Sequence, residues 1–141
     1  MDKAGPTGWH TSLAFDKHGS PMIAYWSQLE KNPKFAVTNG TEWKTSTIDK
    51  TGVLGRSASL AISKEGRAAI AFADDTDLLS PNLKYAIQDG ANWQISLVDQ
   101  EIGGGYQISL AFNPRGMPAI SYYDVGKRRL KFAELVPLAS P

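Results

Sequence analysis

One segment of this chain recurs three times, and that self-similarity limits the folds open to it more than any other property. Ser12-Leu13-Ala14-Phe15 returns as Ser59-Leu60-Ala61-Ile62 and again as Ser109-Leu110-Ala111-Phe112. A polar turn with one glycine follows each (Gly19, Gly66, Gly116). Then comes a second apolar run: Met22-Ile23-Ala24-Tyr25, Ala69-Ile70-Ala71-Phe72 and Ala119-Ile120-Ser121-Tyr122. Lys34-Phe35-Ala36, Lys84-Tyr85-Ala86 and Lys131-Phe132-Ala133 lie further on. Two copies continue to a glycine turn and a tryptophan, Asn39-Gly40 before Trp43 and Asp89-Gly90 before Trp93. The turn glycines stand 47 and 50 residues apart, the length of one supersecondary unit that stacks on its neighbours. The copies span about residues 1–48, 49–98 and 99–141 of a single domain.

Within each copy, apolar residues alternate in short runs bounded by Gly, Pro, Asn and Asp, the pattern of half-buried strands. Trp43-Lys44-Thr45-Ser46-Thr47-Ile48 and Trp93-Gln94-Ile95-Ser96-Leu97-Val98 are rich in strand formers. Helical periodicity with caps is missing, so the expected class is all-β, with four short antiparallel strands per copy. Such a unit is the blade of a β-propeller. Small residues recur in the first two strands (Ala14, Ala61, Ala111; Ala24, Ala71, Ser121), where blades converge on the axis. Bulky Phe35, Tyr85, Trp43 and Trp93 recur in strands three and four, where blades splay. A two-sheet β-sandwich is the alternative arrangement of eleven short strands.

The order Ser-Leu-Ala-Phe, glycine turn, Pro-x-Ile-x-Tyr, Leu-Lys-Tyr-Ala and Asp-Gly-x-x-Trp, fullest over residues 59–98, resembles bacterial propellers related to the sialidase (BNR/Asp-box-like) superfamily. Asp89, Gly90 and Trp93 echo the Asp-box turn, and Asn39, Gly40 and Trp43 do so less fully. The resemblance implies a propeller. Hydrolases of that superfamily use an arginine triad, a Tyr–Glu pair and an acidic Asp. The arginines here are Arg56, Arg67, Arg115, Arg128 and Arg129. Arg67 and Arg115 fall in tight turns away from the variable loops, and Tyr25 and Tyr122 hold repeated core positions. The expectation is therefore a protein without catalytic residues, with a glycosidase remnant as an alternative.

The third copy has no tryptophan-led fourth strand after Lys131-Phe132-Ala133, so the chain covers close to three blades. An open arc leaves apolar faces bare at both ends. Propellers typically have four to eight blades. The expected solution is a half-propeller that closes by oligomerisation, as a six-bladed homodimer. The alternatives are another oligomer, a piece of a longer propeller, or a purely structural unit without a ligand.

Short turns (Asp16–Pro21, Ser63–Arg67, Asn113–Pro118) are expected at one end of the blades. Longer, dissimilar loops are expected at the other, where function concentrates. That end would display Trp9, His10, Trp26, Arg56, Asp74, Asp75, Tyr106, Gln107, Tyr123 and Asp124 on loops. Aromatic rings beside charged groups suit a polar small ligand such as a carbohydrate. The same aromatics would alternatively fill gaps between blades.

Other chemistry is thin. The chain has 15 Lys and Arg against 14 Asp and Glu, a net charge of +1, which offers no nucleic-acid or anionic-membrane footprint. Cysteine is absent, and no run reaches the roughly 18 apolar residues of a spanning helix. Asp74-Asp75-Thr76-Asp77 lacks the glycine and distant glutamate of a calcium loop and is expected to be a solvated acidic loop. His10 and His18 fall at opposite ends of the blades. Gly103-Gly104-Gly105 is expected as a flexible inter-blade loop, and Asn39-Gly40 as a tight hairpin rather than a glycosylation site. No metal or cofactor is expected.

Overall fold

The computed structural model describes residues 2–3, 5–79, 81–100, 102 and 106–136. These form eleven strands and no helix. The first sheet is β1 (Thr7–Phe15), β2 (Pro21–Ser27), β3 (Asn32–Thr38) and β4 (Trp43–Thr47). The second is β5 (Leu54–Ile62), β6 (Ala68–Asp74), β7 (Asn82–Asp89) and β8 (Asn92–Asp99). The third is β9 (Tyr106–Phe112), β10 (Pro118–Asp124) and β11 (Arg129–Glu134). Each sheet is an antiparallel meander in chain order, of four, four and three strands. The sheets form an unclosed, propeller-like array and are called blades 1, 2 and 3. The expected all-β class and partial, propeller-like arrangement of sheets form, and Gly103–Gly105 and residues 137–141 lie outside the described part.

Local chemistry accounts for the hairpins. Asp16 takes the amides of His18 and Ser20 on one carboxylate oxygen, each at 2.8 Å. Gly19 supplies the left-handed backbone (φ 81°) that closes this turn. At the equivalent turn of blade 3, Asn113 takes the amides of Arg115 and Met117. Asn39 likewise gathers the amides of Thr41 and Glu42, with Gly40 at φ 95°, so Asn39-Gly40 is the expected hairpin.

Alternation then separates two faces of every blade. One face of blade 1 (Met22, Ala24, Phe35) packs on the opposing face of blade 2 (Leu60, Ile70, Phe72, Ala86). The other face of blade 2 (Ala69, Ala71, Ala73) meets Ile108, Leu110, Ile120 and Tyr122 of blade 3. Alanines recur where blades approach closely. Trp93 fills the wider rim edge-on to Phe35, with ring centroids 5.3 Å apart.

The repeated serine has a role that composition alone does not suggest. The amide of Leu60 donates to Ser12 Oγ (3.0 Å), and the amide of Leu110 donates to Ser59 Oγ (2.9 Å). Each first strand is thus stitched to the next across the seam, where its N–H would otherwise be buried unpaired.

A lysine clasp also recurs. Lys34 meets Asp2 at 3.1 Å, Lys84 meets Asp49 at 3.1 Å, and Lys131 meets Asp99. Tyr25 and Tyr122 donate their hydroxyls to Asp2 (2.7 Å) and Asp99 (2.6 Å). In blade 2 the matching residue is Phe72, and the Thr51 hydroxyl donates to Asp49 instead (2.7 Å). Burial pulls the Asp49 and Asp99 carboxyls upward. Hydrogen bonds outweigh it, from Thr51 and Lys84 to Asp49 and from Lys131 and Tyr122 to Asp99, and hold both below the ordinary value.

Candidate functional site

Where blades 1 and 2 meet, the ends of β2, β5 and β6 enclose a cleft of about 360 Å³. Trp26, near the end of β2, forms one wall, and Arg56 of β5 lies over it, its guanidinium carbon 5.9 Å from the indole centroid. Asp75, one residue beyond β6, faces Arg56 with Oδ2 at 4.0 Å from Nε. Val53, Thr76 and Leu78 continue the lining on the blade 2 side, and Gln28 and Lys31 on the blade 1 side. Next to Val53, Gly52 leaves room for Thr76: a methyl group at Gly52 would sit 1.8 Å from the Thr76 hydroxyl, which accepts the Val53 amide at 3.1 Å.

Two polar atoms of this cleft are unsatisfied. The indole nitrogen of Trp26 and Oδ2 of Asp75 are both buried without a hydrogen-bond partner. An unpaired buried donor or acceptor costs about 1–3 kcal/mol, so both atoms are open to a hydrogen-bonding group that enters the cleft. Burial raises the Asp75 carboxyl above its ordinary value. Arg56 opposes that shift, and the neighbouring Asp74 carboxylate adds to it. The combination of an aromatic wall, an unpaired N–H, a desolvated carboxylate and a half-exposed guanidinium can hold a hydroxyl-rich ligand by stacking and hydrogen bonds.

The backbone repeats at the other seam while the side chains do not. The Asp75 amide donates to the Val53 carbonyl (2.9 Å) and the Val125 amide to the Ile102 carbonyl (3.0 Å); the Gln28 amide donates to the Pro6 carbonyl (3.1 Å). Position 26 therefore matches 73 and 123, and position 75 matches 28 and 125. Between blades 2 and 3 these positions hold Ala73 and Val125, which bring neither the indole nor the acid.

The structure gathers Trp26, Arg56 and Asp75, with Trp9 edge-on to Trp26 at 6.5 Å and the His10 ring beside Trp9. It does not bring the other expected residues into the cleft. Asp74 is bound to Lys84 (2.9 Å), and Asp124 is buried 3.7 Å from Lys131. Gln107 is exposed on blade 3, Tyr123 lies on that blade's open face, and the Tyr106 side chain lies outside the described residues. Two expectations need correction. Trp9, His10, Trp26, Arg56, Asp74, Tyr106, Gln107, Tyr123 and Asp124 belong to strands rather than loops. Pairing continues past irregularities such as the one between Trp9 and Ser12, where His10 takes φ 51°, with Gln107 at φ 63° in blade 3. The Asp74–Asp75 pair is buried, not solvated, because Lys84 and the blade seam cover it.

Sequence reasoning missed the lysine clasp, although Lys34, Lys84 and Lys131 were in view at repeat spacing; a charge that recurs in register with core residues was the available signal. Among the described residues, no group of three His, Cys, Asp or Glu side chains is placed to hold a metal, and no helix is long and apolar enough to cross a membrane.

No family model matches the chain, and no curated protein matches it. Among solved structures the chain is similar to a fucose lectin from Kordia zhangzhouensis in complex with methyl-fucoside. The TM-score is 0.57 at 12% identity, over 89% of this chain and 91% of that one. At this identity the likeness speaks to the all-β, propeller-like fold.

Proposed function

We propose that this chain is a non-catalytic propeller module that binds carbohydrate in the cleft between blades 1 and 2 and completes its ring with a second copy. The observation that carries the binding is the pair of orphaned atoms, Trp26 Nε1 and Asp75 Oδ2, in a cleft that also holds Arg56. Sugar hydroxyls donate to a carboxylate and accept from an indole N–H, while the apolar ring face of a sugar stacks on the indole. The similarity to a fucose lectin supports the ligand class. Asp75 is the one carboxylate among the described lining residues, whereas glycosidases commonly work with a carboxyl pair.

Ring completion is supported by comparing repeat-equivalent residues. Leu60 and Leu110, which face the preceding blade, are each 6% exposed, whereas Leu13 at the same position in blade 1 is 57% exposed. Phe35 faces the following blade at 2%, and its counterpart Phe132 in blade 3 is 66% exposed. The open face of blade 1 carries a cavity of about 270 Å³ lined by Ile23, Tyr25 and Ala36. Their blade 2 counterparts, Ile70, Phe72 and Ala86, are the residues in whose cluster Phe35 packs. Phe132 of one copy suits that cavity in another, and Ser109 stands where it would accept the Leu13 amide across the junction. Three blades per chain reach the usual four-to-eight range as a pair of chains.

The test has two arms. Light scattering should give twice 15.3 kDa, and Leu13→Asp should give a folded single chain. Calorimetry against methyl-fucoside and a glycan panel should give saturable binding that Arg56→Ala, in a chain that remains folded, weakens about tenfold or more, the scale of a lost charge-assisted bond. A wild-type chain that binds no glycan ends the ligand reading. A monomeric wild-type chain ends the ring reading.

A further inference from the structure

A buried carboxylate oxygen without a partner, such as Asp75 Oδ2, gains by turning toward water unless the chain around it is fixed. Here both polar backbone groups of Val53 hold that stretch. The Asp75 amide donates to the Val53 carbonyl at 2.9 Å, and the Thr76 hydroxyl accepts the Val53 amide at 3.1 Å. The Thr76 hydroxyl also bonds Asp74. Burial pulls the Asp74 carboxyl upward, and the bonds from Thr76 and Lys84 outweigh it and hold it below the ordinary value. Lys84 meets Asp74 at 2.9 Å and Asp49 at 3.1 Å. One hydroxyl therefore joins the lysine clasp of the seam to the segment that carries the acid of the cleft.

This hydroxyl is particular to blade 2. By the repeated amide-to-carbonyl bond, Thr76 matches Leu29 and Gly126, and Val53 matches Pro6 and Ile102. Leu29 has no hydroxyl, and Pro6 has no amide hydrogen to give. In blade 3, Gly126 has no side chain, and the Ile102 amide donates to the Pro81 carbonyl at 2.8 Å. The close approach of the two segments, by contrast, belongs to the repeat: a methyl group on Gly5 would meet Leu29 at 3.2 Å, as one on Gly52 would meet Thr76. Gln28 and Val125 stand where blade 2 has Asp75. The added hydroxyl and the added acid thus occur side by side, in the same blade.

We propose that Thr76 is a positioning residue of the cleft, whose hydroxyl ties Val53 to Asp74 so that the Asp75 carboxylate stays turned toward a ligand. The role rests on the carbohydrate reading, since Asp75 is the acceptor that a sugar hydroxyl would meet. A side chain held in its binding position before the ligand arrives leaves less ordering to be done on binding. Gly52 is the second part of the device. It does not take a positive φ, so what it contributes is room for Thr76.

The test follows the Asp75 carboxyl by carbon NMR in the full chain without ligand, and then the affinity for methyl-fucoside by calorimetry. In the wild type this carboxyl should titrate above the ordinary value of about 3.9, because it is buried. Thr76→Val keeps the side-chain shape and removes the acceptor. It should bring the Asp75 titration down toward the ordinary value and weaken methyl-fucoside about tenfold in a folded chain, the scale of one charge-assisted bond. Thr76→Ser keeps the hydroxyl and should match the wild type in both measurements. Gly52→Ala, which crowds Thr76, should act as Thr76→Val does. An Asp75 titration unchanged in Thr76→Val and Gly52→Ala would overturn the proposal, and so would weaker binding without a change in that titration. A Thr76→Ser chain that behaves as Thr76→Val does would overturn it too. A wild type that binds no glycan ends the carbohydrate reading instead, and the titration still decides whether Thr76 places Asp75.

Discussion

The seam between blades 1 and 2 and the seam between blades 2 and 3 share one scaffold and differ in chemistry. Both are stitched by a serine hydroxyl to a leucine amide, and both carry a lysine clasp on the later blade. Both hold the first residues after the second strand by the same amide-to-carbonyl bond. Only the first has an indole and an acid at its upper end, Trp26 and Asp75 against Ala73 and Val125. What repeats in this molecule therefore holds blades together, and what departs from the repeat makes the cleft. A residue identical in all copies has a counterpart in every seam and cannot single out one of them.

The largest effects should come from breaking the shared part. Leu60→Ala and Leu110→Ala each remove a buried side chain at a seam, and each should cost about 2–5 kcal/mol in chemical denaturation. Leu13→Ala, at the same repeat position on an exposed face, should change the unfolding of the single chain by about 0.5 kcal/mol or less. Unequal losses at Leu60 and Leu110 would show that the seams are not energetic equivalents.

The clasps should appear in the acid limb of the stability curve. Asp49 and Asp99 are held below the ordinary carboxyl value, so the folded state favours their charged forms. Their contribution is complete above the unfolded-state value of about 3.9, and it fades as pH falls through the lower folded-state values. Asp49→Asn should lower stability by about 1–3 kcal/mol at neutral pH and flatten the acid limb, because the lost contribution is the one that titrates. An acid limb of unchanged slope in Asp49→Asn would mean that other carboxyls dominate it.

The smallest effect has the opposite sign. Burial raises Asp75, so its ionised form is penalised in the fold, and that penalty is present at neutral pH and relieved as pH falls. Asp75→Asn should therefore raise Tm slightly at pH 7 while weakening glycan binding. Such a trade of stability for function is common in binding sites. Its counterpart Val125 already lacks the acid, and Val125→Asn should leave glycan binding unchanged.

Much of the fold was legible because it rests on local patterns. Alternation sets strands, Asp16, Asn39 and Asn113 with Gly19, Gly40 and Gly116 set hairpins, and repetition sets the number of blades. The site was legible only as a set of names. Trp26, Arg56 and Asp75 stood among ten candidates, and no local pattern separates them from Asp74 or Asp124. Asp74 and Asp75 are neighbours with opposite fates. Alternation turns one toward Lys84 and the other into the cleft, and the two carboxyls shift in opposite directions. Arg56 meets Trp26 only through the packing of two separate sheets, which neither strand's pattern encodes.

The amino-acid order by itself determined the eleven strands, the tight turns and the faces that must be covered, because each follows from contacts among near neighbours along the chain. The tertiary structure alone decided which residues meet at a seam, and that the Trp26 indole nitrogen and the Asp75 carboxylate oxygen are buried there without hydrogen-bond partners. Burial and orphaned hydrogen-bonding atoms are properties of surfaces brought together from distant parts of the chain, and they exist only once the blades have packed.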